Sequence, residues 1–430
     1  MAMRFRPVIV VASACAAVTL LATGYIVWQQ QRAEACVQSA HARLEATIVD
    51  APDWDRINVS GALADLDRAS ELGRNSPEDA AYRHYAQAVD DLKRGDLILA
   101  DAEVESARAR LGWTVELRIV AAAIAQRRSN LGAASNHIEE ALRLDSDNAR
   151  ALLLASDIAA DRQHSDEAIA LLNRVIQKEP NAATAFNRRG LLNDALGHTD
   201  AARSDFRHAA LLDPREATPY INLGRSLRAS NEHVGARDAY REAVARAATD
   251  PVAHLGLGLS LASLGDAEGA HRELARAMEL SPDDTTPVLA LGDLSMDVGE
   301  HEIAIGFYRQ AIERDRSAPL AWLKLGNALA ITNDVRGARD AFREAIARNG
   351  GLSAAHNGLG VALMRLHEGE AEGAFRRASE LDPRDPHPWM NLALLCEHSG
   401  RRSDARVAWQ RALTLDPESE IATARLAALN

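Results

Sequence analysis

Pro251 to Asp284 reads PVAHLGLGLSLASLGDAEGAHRELARAMELSPDD, and four of its residues set the fold: Gly258, Ala270, Leu274 and Ala277. The same four places recur along most of the chain. Ten alanines mark the phase: Ala100, Ala134, Ala168, Ala202, Ala236, Ala270, Ala304, Ala338, Ala371 and Ala405. The first eight stand 34 residues apart, the next step is 33 and the last is 34 again. A period of this size signals a repeat array. It replaces the two or three globular domains that 430 residues would otherwise suggest.

Each place has a physical reading. About twelve residues before each alanine stands a small residue: Ala88, Ala122, Ser156, Gly190, Gly224, Gly258, Gly292, Gly326, Gly360 and Ala393. Four residues after it stands a larger apolar one: Val104, Ile138, Leu172, Phe206, Tyr240, Leu274, Tyr308, Phe342, Phe375 and Trp409. Seven after it the chain is small again, from Ala107 to Ala412, with Val175 the largest. Spacings of i, i+4 and i+7 lie on one helical face, so each repeat is read as two helices. Small residues let the two backbones approach, and the large side chain fills the remaining gap. The turn between them often holds Gly95, Gly197, Asn231, Gly265, Gly299, Asn333 or Gly400, residues that tolerate the left-handed conformation ending a helix. Pro180, Pro214, Pro282, Pro383 and Pro417 close half of the repeats.

This pattern resembles the tetratricopeptide repeat. Leu223-Gly224, Leu257-Gly258, Leu291-Gly292, Leu325-Gly326 and Leu359-Gly360 match its first-helix pair, and Trp322 and Trp389 match its aromatic position. The resemblance implies an all-α, right-handed superhelical solenoid of about ten helix-turn-helix units over residues 81–419, capped by a last helix over 420–430. In that cap Ile421, Leu426 and Leu429 are expected inward and Arg425 outward. The two repeats from Ala81 to Asn148 lack the Leu-Gly pair and read as degenerate. The repeat from Ser353 to Asp385 is one residue short, which puts its turn near Met364 to Gly369 in question.

The amino terminus reads as a separate element. Residues 1–7 carry Arg4 and Arg6, and Val8 to Trp28 is an uncharged apolar run. Its 21 residues span about 31 Å as a helix, enough for a hydrocarbon core of about 30 Å. The preceding arginines place residues 1–7 in the cytoplasm and the repeats on the far side. The expectation is a single-pass signal-anchor in a bacterial inner membrane, with periplasmic repeats; cleavage near Gly24 is the rival reading. Residues 29–80 are expected to form a helical stalk and degenerate cap. Ala33, Val37, Ala40, Leu44 and Ile48 share one face there, a second helix runs near Ser60 to Leu72, and Ser76-Pro77-Glu78 starts a third.

Composition and motifs exclude several classes. The net charge is −12 with acidic and basic residues interspersed, which argues against a nucleic-acid partner. No GxSxG, phosphate loop, HExxH or dinucleotide-binding motif occurs, so no enzyme activity and no cofactor are expected. The three cysteines hold no CxxC pair: Cys15 lies in the apolar run, Cys396 replaces a large residue inside a repeat, and Cys36 is the candidate for a disulfide homodimer. His387 and His398 share a helical face, but no third residue completes a metal site.

A protein or peptide partner remains. In the family, the first helix lines the concave groove with its second, fifth, sixth, ninth and thirteenth positions. Mapped here, the lining includes Asn222, Arg225, Leu255, Leu259, Leu289, Asp293, Leu323, Asn327, Val361, Met390, Asn391 and His398. Apolar residues with interspersed Asn suit an extended or helical peptide. The fifth positions (Tyr85, Ile119, Leu153, Asn187, Ile221, Leu255, Leu289, Leu323, Asn357 and Met390) hold no basic residue, so the clamp by which relatives hold acidic chaperone tails is not expected. The functional expectation is an interaction scaffold organising an envelope complex for polysaccharide, pilus or secretion work. The alternative is a chaperone-like presenter of exported clients, like the repeat modules of cytochrome c maturation.

Overall fold

The computed structural model describes residues 6–45 and 58–429, with side chains from Tyr25 to Leu44 and from Asn58 onward. Among the described residues there are 23 helices and no strand. The chain divides into two bodies, Met1–Asn222 and Leu223–Asn430, with the division inside the helix Thr218–Ala229.

The amino-terminal body opens with the helices Arg6–Glu45 and Val59–Glu71. Four helix pairs follow: Pro77–Arg94 with Leu97–Leu111, Val115–Arg127 with Leu131–Leu144, Ala149–Asp161 with Ser165–Lys178, and Ala183–Ala195 with Thr199–Leu212. The fifth pair is Thr218–Ala229 with His233–Arg246. The carboxy-terminal body continues with Pro251–Ser263 and Ala267–Leu280, Thr286–Asp297 and His301–Arg314, and Pro319–Ile331 and Val335–Arg348. Ser353–Arg365 and Ala371–Leu381, His387–His398 and Arg402–Leu415, and a last helix Glu420–Ala428 complete it. The pairs are numbered here as the first to the tenth repeat.

The phase residues form the core of each pair. All ten marker alanines are 0–1% exposed. Opposite them the glycines make room for rings: a Cβ built on Gly190 would lie 2.7 Å from the Phe206 ring, one on Gly292 2.5 Å from Tyr308, and one on Gly326 2.6 Å from Phe342. The ring also reaches the next repeat, since a Cβ on Gly358 would lie 2.6 Å from Phe342 Cζ. One side chain thus cements two consecutive repeats, and burying it contributes about 1.5–3 kcal/mol.

Turns follow the same economy. All seven expected Gly and Asn residues have positive φ, and Ser129, Gln163 and His367 do the same work in other repeats. In the sixth repeat Asp266 N–H returns to Leu261 O at 3.0 Å, and the Asp266 carboxylate then caps the second helix through Gly269 N–H at 2.9 Å. The short ninth repeat keeps its turn, with His367 at φ 57. The missing residue comes instead from the start of its second helix, which has 11 residues where the eighth repeat has 14.

The end of the first helix folds back on Val59–Glu71 rather than standing as a lone stalk. Ala33, Val37, Ala40 and Leu44 are buried together with Val59, Ala62, Leu66 and Ala69; Ile48 lies outside the described residues. Asp65 fastens the pair, accepting from Ser39 Oγ at 2.7 Å and Arg43 Nε at 2.8 Å. Ser76 caps the third helix through a reciprocal box with Asp79.

Two expectations are corrected. Among the described residues no helix is long and apolar enough to cross a membrane. This overturns the single-pass inner-membrane placement with periplasmic repeats and leaves an envelope setting without support. Most of the apolar run, with Cys15, lies among residues whose side chains are not described. The described continuation from Gln29 is interrupted by Gln30, Gln31, Arg32 and Glu34 and packs on protein. In the last helix, Ile421 is exposed rather than inward, and Ala422 is the buried residue of that turn. Leu426 and Leu429 do pack on the preceding core.

The cysteines divide in the same way. Cys36 is half-buried against the core that contains Val37 rather than freely exposed, and a homodimer through it has no support here. Cys396 is buried, and burial pushes its thiol upward in pKa.

Candidate functional site

The first helices of the carboxy-terminal body carry half-buried apolar side chains at the positions expected to line a groove. Leu255 and Leu259 of the sixth repeat, Leu289 of the seventh, Leu323 of the eighth, Val361 of the ninth and Met390 of the tenth are all partly accessible. Each shares a helix with fully buried neighbours such as Leu257, Leu291 and Leu325, so the helix core side and the accessible side are separated by the 3.6-residue period.

The polar residues on this surface fall into two groups. Asp293 is held: Lys324 Nζ of the next repeat donates to both its oxygens at 2.8 and 2.9 Å, and Tyr308 Oη donates to Oδ1 at 2.8 Å. Burial, then the adjacent Asp293 carboxylate, pushes the Tyr308 phenol far above its ordinary pKa, so it stays a donor. Asn391 is held by Asn357 of the preceding repeat at 2.9 Å. In the amino-terminal body Asn222, which is buried, makes the same link to Asn187 at 2.9 Å. These contacts fasten each first helix to the next.

Asn327 belongs to the other group. It is exposed, and no side-chain hydrogen bond engages it among the described residues. It opens onto a depression of about 430 Å³ lined also by Ile331, Val335, Phe342, Gly358, Val361 and Arg365. Arg365 is turned away, with its guanidinium on Asn333 Oδ1 and on Ala330 O at 3.3 Å. The floor is apolar and a single free amide stands at its edge, a combination suited to a side chain flanked by peptide backbone. Arg225 is exposed, with its own electrostatic partners.

Sequence reasoning reached Asn327 and Val361 but missed Ile331 and Arg365, although both occupy the thirteenth position it had named. It also missed Lys324 as the partner of Asp293. The signal was there, since Lys324 is one of only three lysines and stands 31 residues on, within one repeat length. His387 and His398 are not brought together: the first bonds Asp385 at 2.6 Å and the second Leu394 O at 2.7 Å. Among the described residues no cluster could hold a metal ion.

Such an architecture defines an all-helical repeat protein, of the kind that presents a long surface to another protein. Residues 119–183, 153–220, 187–251 and 221–285 each match the model of the tetratricopeptide repeat. Residues 119–285 thus belong to the tetratricopeptide repeat family. Residues 284–427 match the cilia and flagella-associated protein 70 C-terminal domain. No curated protein matches the chain. Among solved structures, the chain resembles the MamA protein at 24% identity, with 39% of this chain and 92% of that one covered and a TM-score of 0.36. It resembles YrrB, a TPR protein with an unusual peptide-binding site, at 19% identity, 44% and 98% coverage and a TM-score of 0.37. The APC/C hetero-tetramer Cut9-Hcn1 covers 94% of this chain and 97% of its own, at 14% identity and a TM-score of 0.48. A scaffold for protein interaction fits the family, whose members are in general not enzymes.

Proposed function

We propose that this protein is an interaction scaffold that holds an extended segment of a partner protein along the first helices of its carboxy-terminal body. The occupied surface comprises Arg225, Leu255, Leu259, Leu289, Leu323, Asn327, Val361 and Met390, with Asp293 and Asn391 fixing its shape and Asn222 doing so in the amino-terminal body. One observation carries the reading: the apolar depression beside Asn327, whose amide has no hydrogen-bond partner among the described residues, while Asn222 and Asn391, elsewhere on the first helices, are engaged. An unused amide at the rim of an apolar hollow suits the backbone of a bound peptide, whose side chain would enter the hollow.

The test is a photo-crosslinking residue placed at position 327, compared with one at Glu344 on the second helix of the same repeat. Capture at 327 that is lost in Val361→Arg supports the assignment. Capture at 344 alone would sink it. A single dominant product marks a dedicated scaffold, whereas many unrelated products mark a presenter of clients.

A further inference from the structure

A second surface lies in the amino-terminal body, and its repeats explain it by comparison with each other. In the first repeat His84 of the first helix meets Glu103 of the second, Nδ1 to Oε2 at 2.6 Å, 19 residues apart. The sixth repeat has the same pair, His254 and Glu273, again at 2.6 Å and 19 apart. The second repeat puts Arg118 and His137 at those two places. A basic residue is kept at the first place, now as an arginine, but the carboxylate is gone.

The consequence is visible in the hydrogen bonds. Arg118 Nε and His137 Nδ1 are shielded from solvent and have no hydrogen-bond partner. Arg118 has no ion pair among the described residues; its guanidinium lies over Trp113, 4.4 Å from the ring centroid. The His137 ring stands 5.2 Å from Trp113 on another side. Three nearby carboxylates are committed elsewhere: Asp101 accepts from Arg128 at 2.9 Å, Glu105 from Arg108 at 2.8 Å, and Glu140 pairs with Arg143. An unmatched buried donor carries a desolvation cost, so a partner that satisfies it gains correspondingly.

There is room for one. Open depressions of about 430 Å³ and about 160 Å³ adjoin here, both lined by His137 and Ala133, the larger by Arg118 and the smaller by Trp113. We propose that Arg118 and His137, beside Trp113, form a binding site for a carboxylate supplied by a partner polypeptide. The incoming group takes the place that Glu103 and Glu273 fill internally in the first and sixth repeats. A carboxylate fits better than a phosphate, because only one guanidinium is uncommitted and Glu139 and Glu140 border the larger depression. The site is separate from the hollow beside Asn327, and its residues are not at the fifth position of a first helix.

The carboxylate can come from an acidic side chain or from a chain end, and the experiment separates them. Ligand-observed saturation-transfer NMR on the full chain would use N-acetylglutamate amide as the side-chain probe and N-acetyl-dialanine with a free carboxyl end as the terminal probe. N-acetylglutamine amide and inorganic phosphate serve as the contrasting probes. At least one carboxylate probe should bind saturably, and the glutamine probe should not. Arg118→Gln should weaken binding about ten- to hundredfold, the worth of a hydrogen bond to a charged group. His137→Glu rebuilds the internal arrangement of the sister repeats. It should abolish probe binding while raising the melting temperature, so loss of binding cannot be mistaken for loss of fold. The proposal is overturned if neither carboxylate probe binds, if phosphate binds in their stead, or if binding survives both substitutions.

Discussion

The early repeats and the later ones solve the same packing problem with opposite side chains. In the first two repeats Ala88 faces Val104 and Ala122 faces Ile138, all buried to within 4%. In the seventh to ninth, Gly292, Gly326 and Gly360 face Tyr308, Phe342 and Phe375. Where the small side gains a methyl, the large side gives up a ring for a branched aliphatic chain, so the two changes in volume run in opposite directions. The difference teaches that the repeat is held by a summed volume rather than by a motif. It explains why repeats lacking Leu-Gly, which read as degenerate, fold into helix pairs as regular as the others.

The largest effect that bears on this comparison comes from emptying the large side. Phe342 contacts both Gly326 and Gly358, and neither has a side chain that can relax into the space. Phe342→Ala is expected to cost about 3–5 kcal/mol. Ile138→Ala, which is flanked by Ala122, should fall towards the lower end of the 2–5 kcal/mol found for aliphatic truncation. Urea unfolding followed by circular dichroism measures both. If Ile138→Ala proves the more costly, summed volume is not what distinguishes the two regions. Because repeat arrays can unfold in stages, the melting of each body should be followed separately.

A smaller effect comes from the opposite change. Gly326→Ala adds a methyl that would stand 2.6 Å from the Phe342 ring, which is itself buried and cannot swing away. Overpacking of this kind costs about 1–3 kcal/mol, against about 1 kcal/mol of helix propensity returned. A net loss is expected, and Gly326→Ala/Phe342→Leu should recover most of it by recreating the early-repeat pairing. Recovery is the sharper half of the test: two independent losses that simply add would mean the residues are not coupled.

How much of this was legible follows from where the signal lay. A 34-residue period survives any single substitution, so the helix pairs, the buried alanines and seven of the left-handed turns could be read directly. Ser129, Gln163 and His367 were not recognisable as turn residues, because side chains other than Gly and Asn adopt that conformation only when the surrounding helices impose it. Ile421 was assigned inward by periodicity, but the buried residue of its turn is Ala422. For the candidate site, position along the first helix located Asn327 and Val361. It could not say which polar residues were already engaged. Asp293 finds Lys324, and Asn391 finds Asn357, only when consecutive repeats are laid side by side. The same operation exposes Arg118 and His137, which look unremarkable in isolation and incomplete beside His84–Glu103.

The smallest effect concerns the first and the last helix pairings among the described residues. The amino-terminal pair is fastened by polar contacts, with Asp65 taking Ser39 and Arg43 together. The carboxy-terminal helix contributes one buried residue, Ala422, and an ion pair of Arg425 with Glu397 at 3.3 Å with the arginine mostly exposed. The Ser39 hydrogen bond, reinforced by Arg43 and opposed by burial, holds the Asp65 carboxyl below its ordinary pKa. A carboxyl depressed in the folded state stabilises fully above its unfolded pKa of about 3.9, and that contribution disappears as pH falls through the folded value. Asp65→Asn is therefore expected to cost about 1.5 kcal/mol at pH 7 and to converge with the wild type as the pH falls through the folded-state pKa of Asp65. Hydrogen exchange of the Val59–Glu71 amides reads the change locally. Arg425→Gln should cost less than about 1 kcal/mol at either pH, as exposed ion pairs do. If Asp65→Asn keeps its full effect down to the lowest pH at which the fold persists, the Asp65 contacts act through shape rather than charge, and the two helix pairs differ in packing alone.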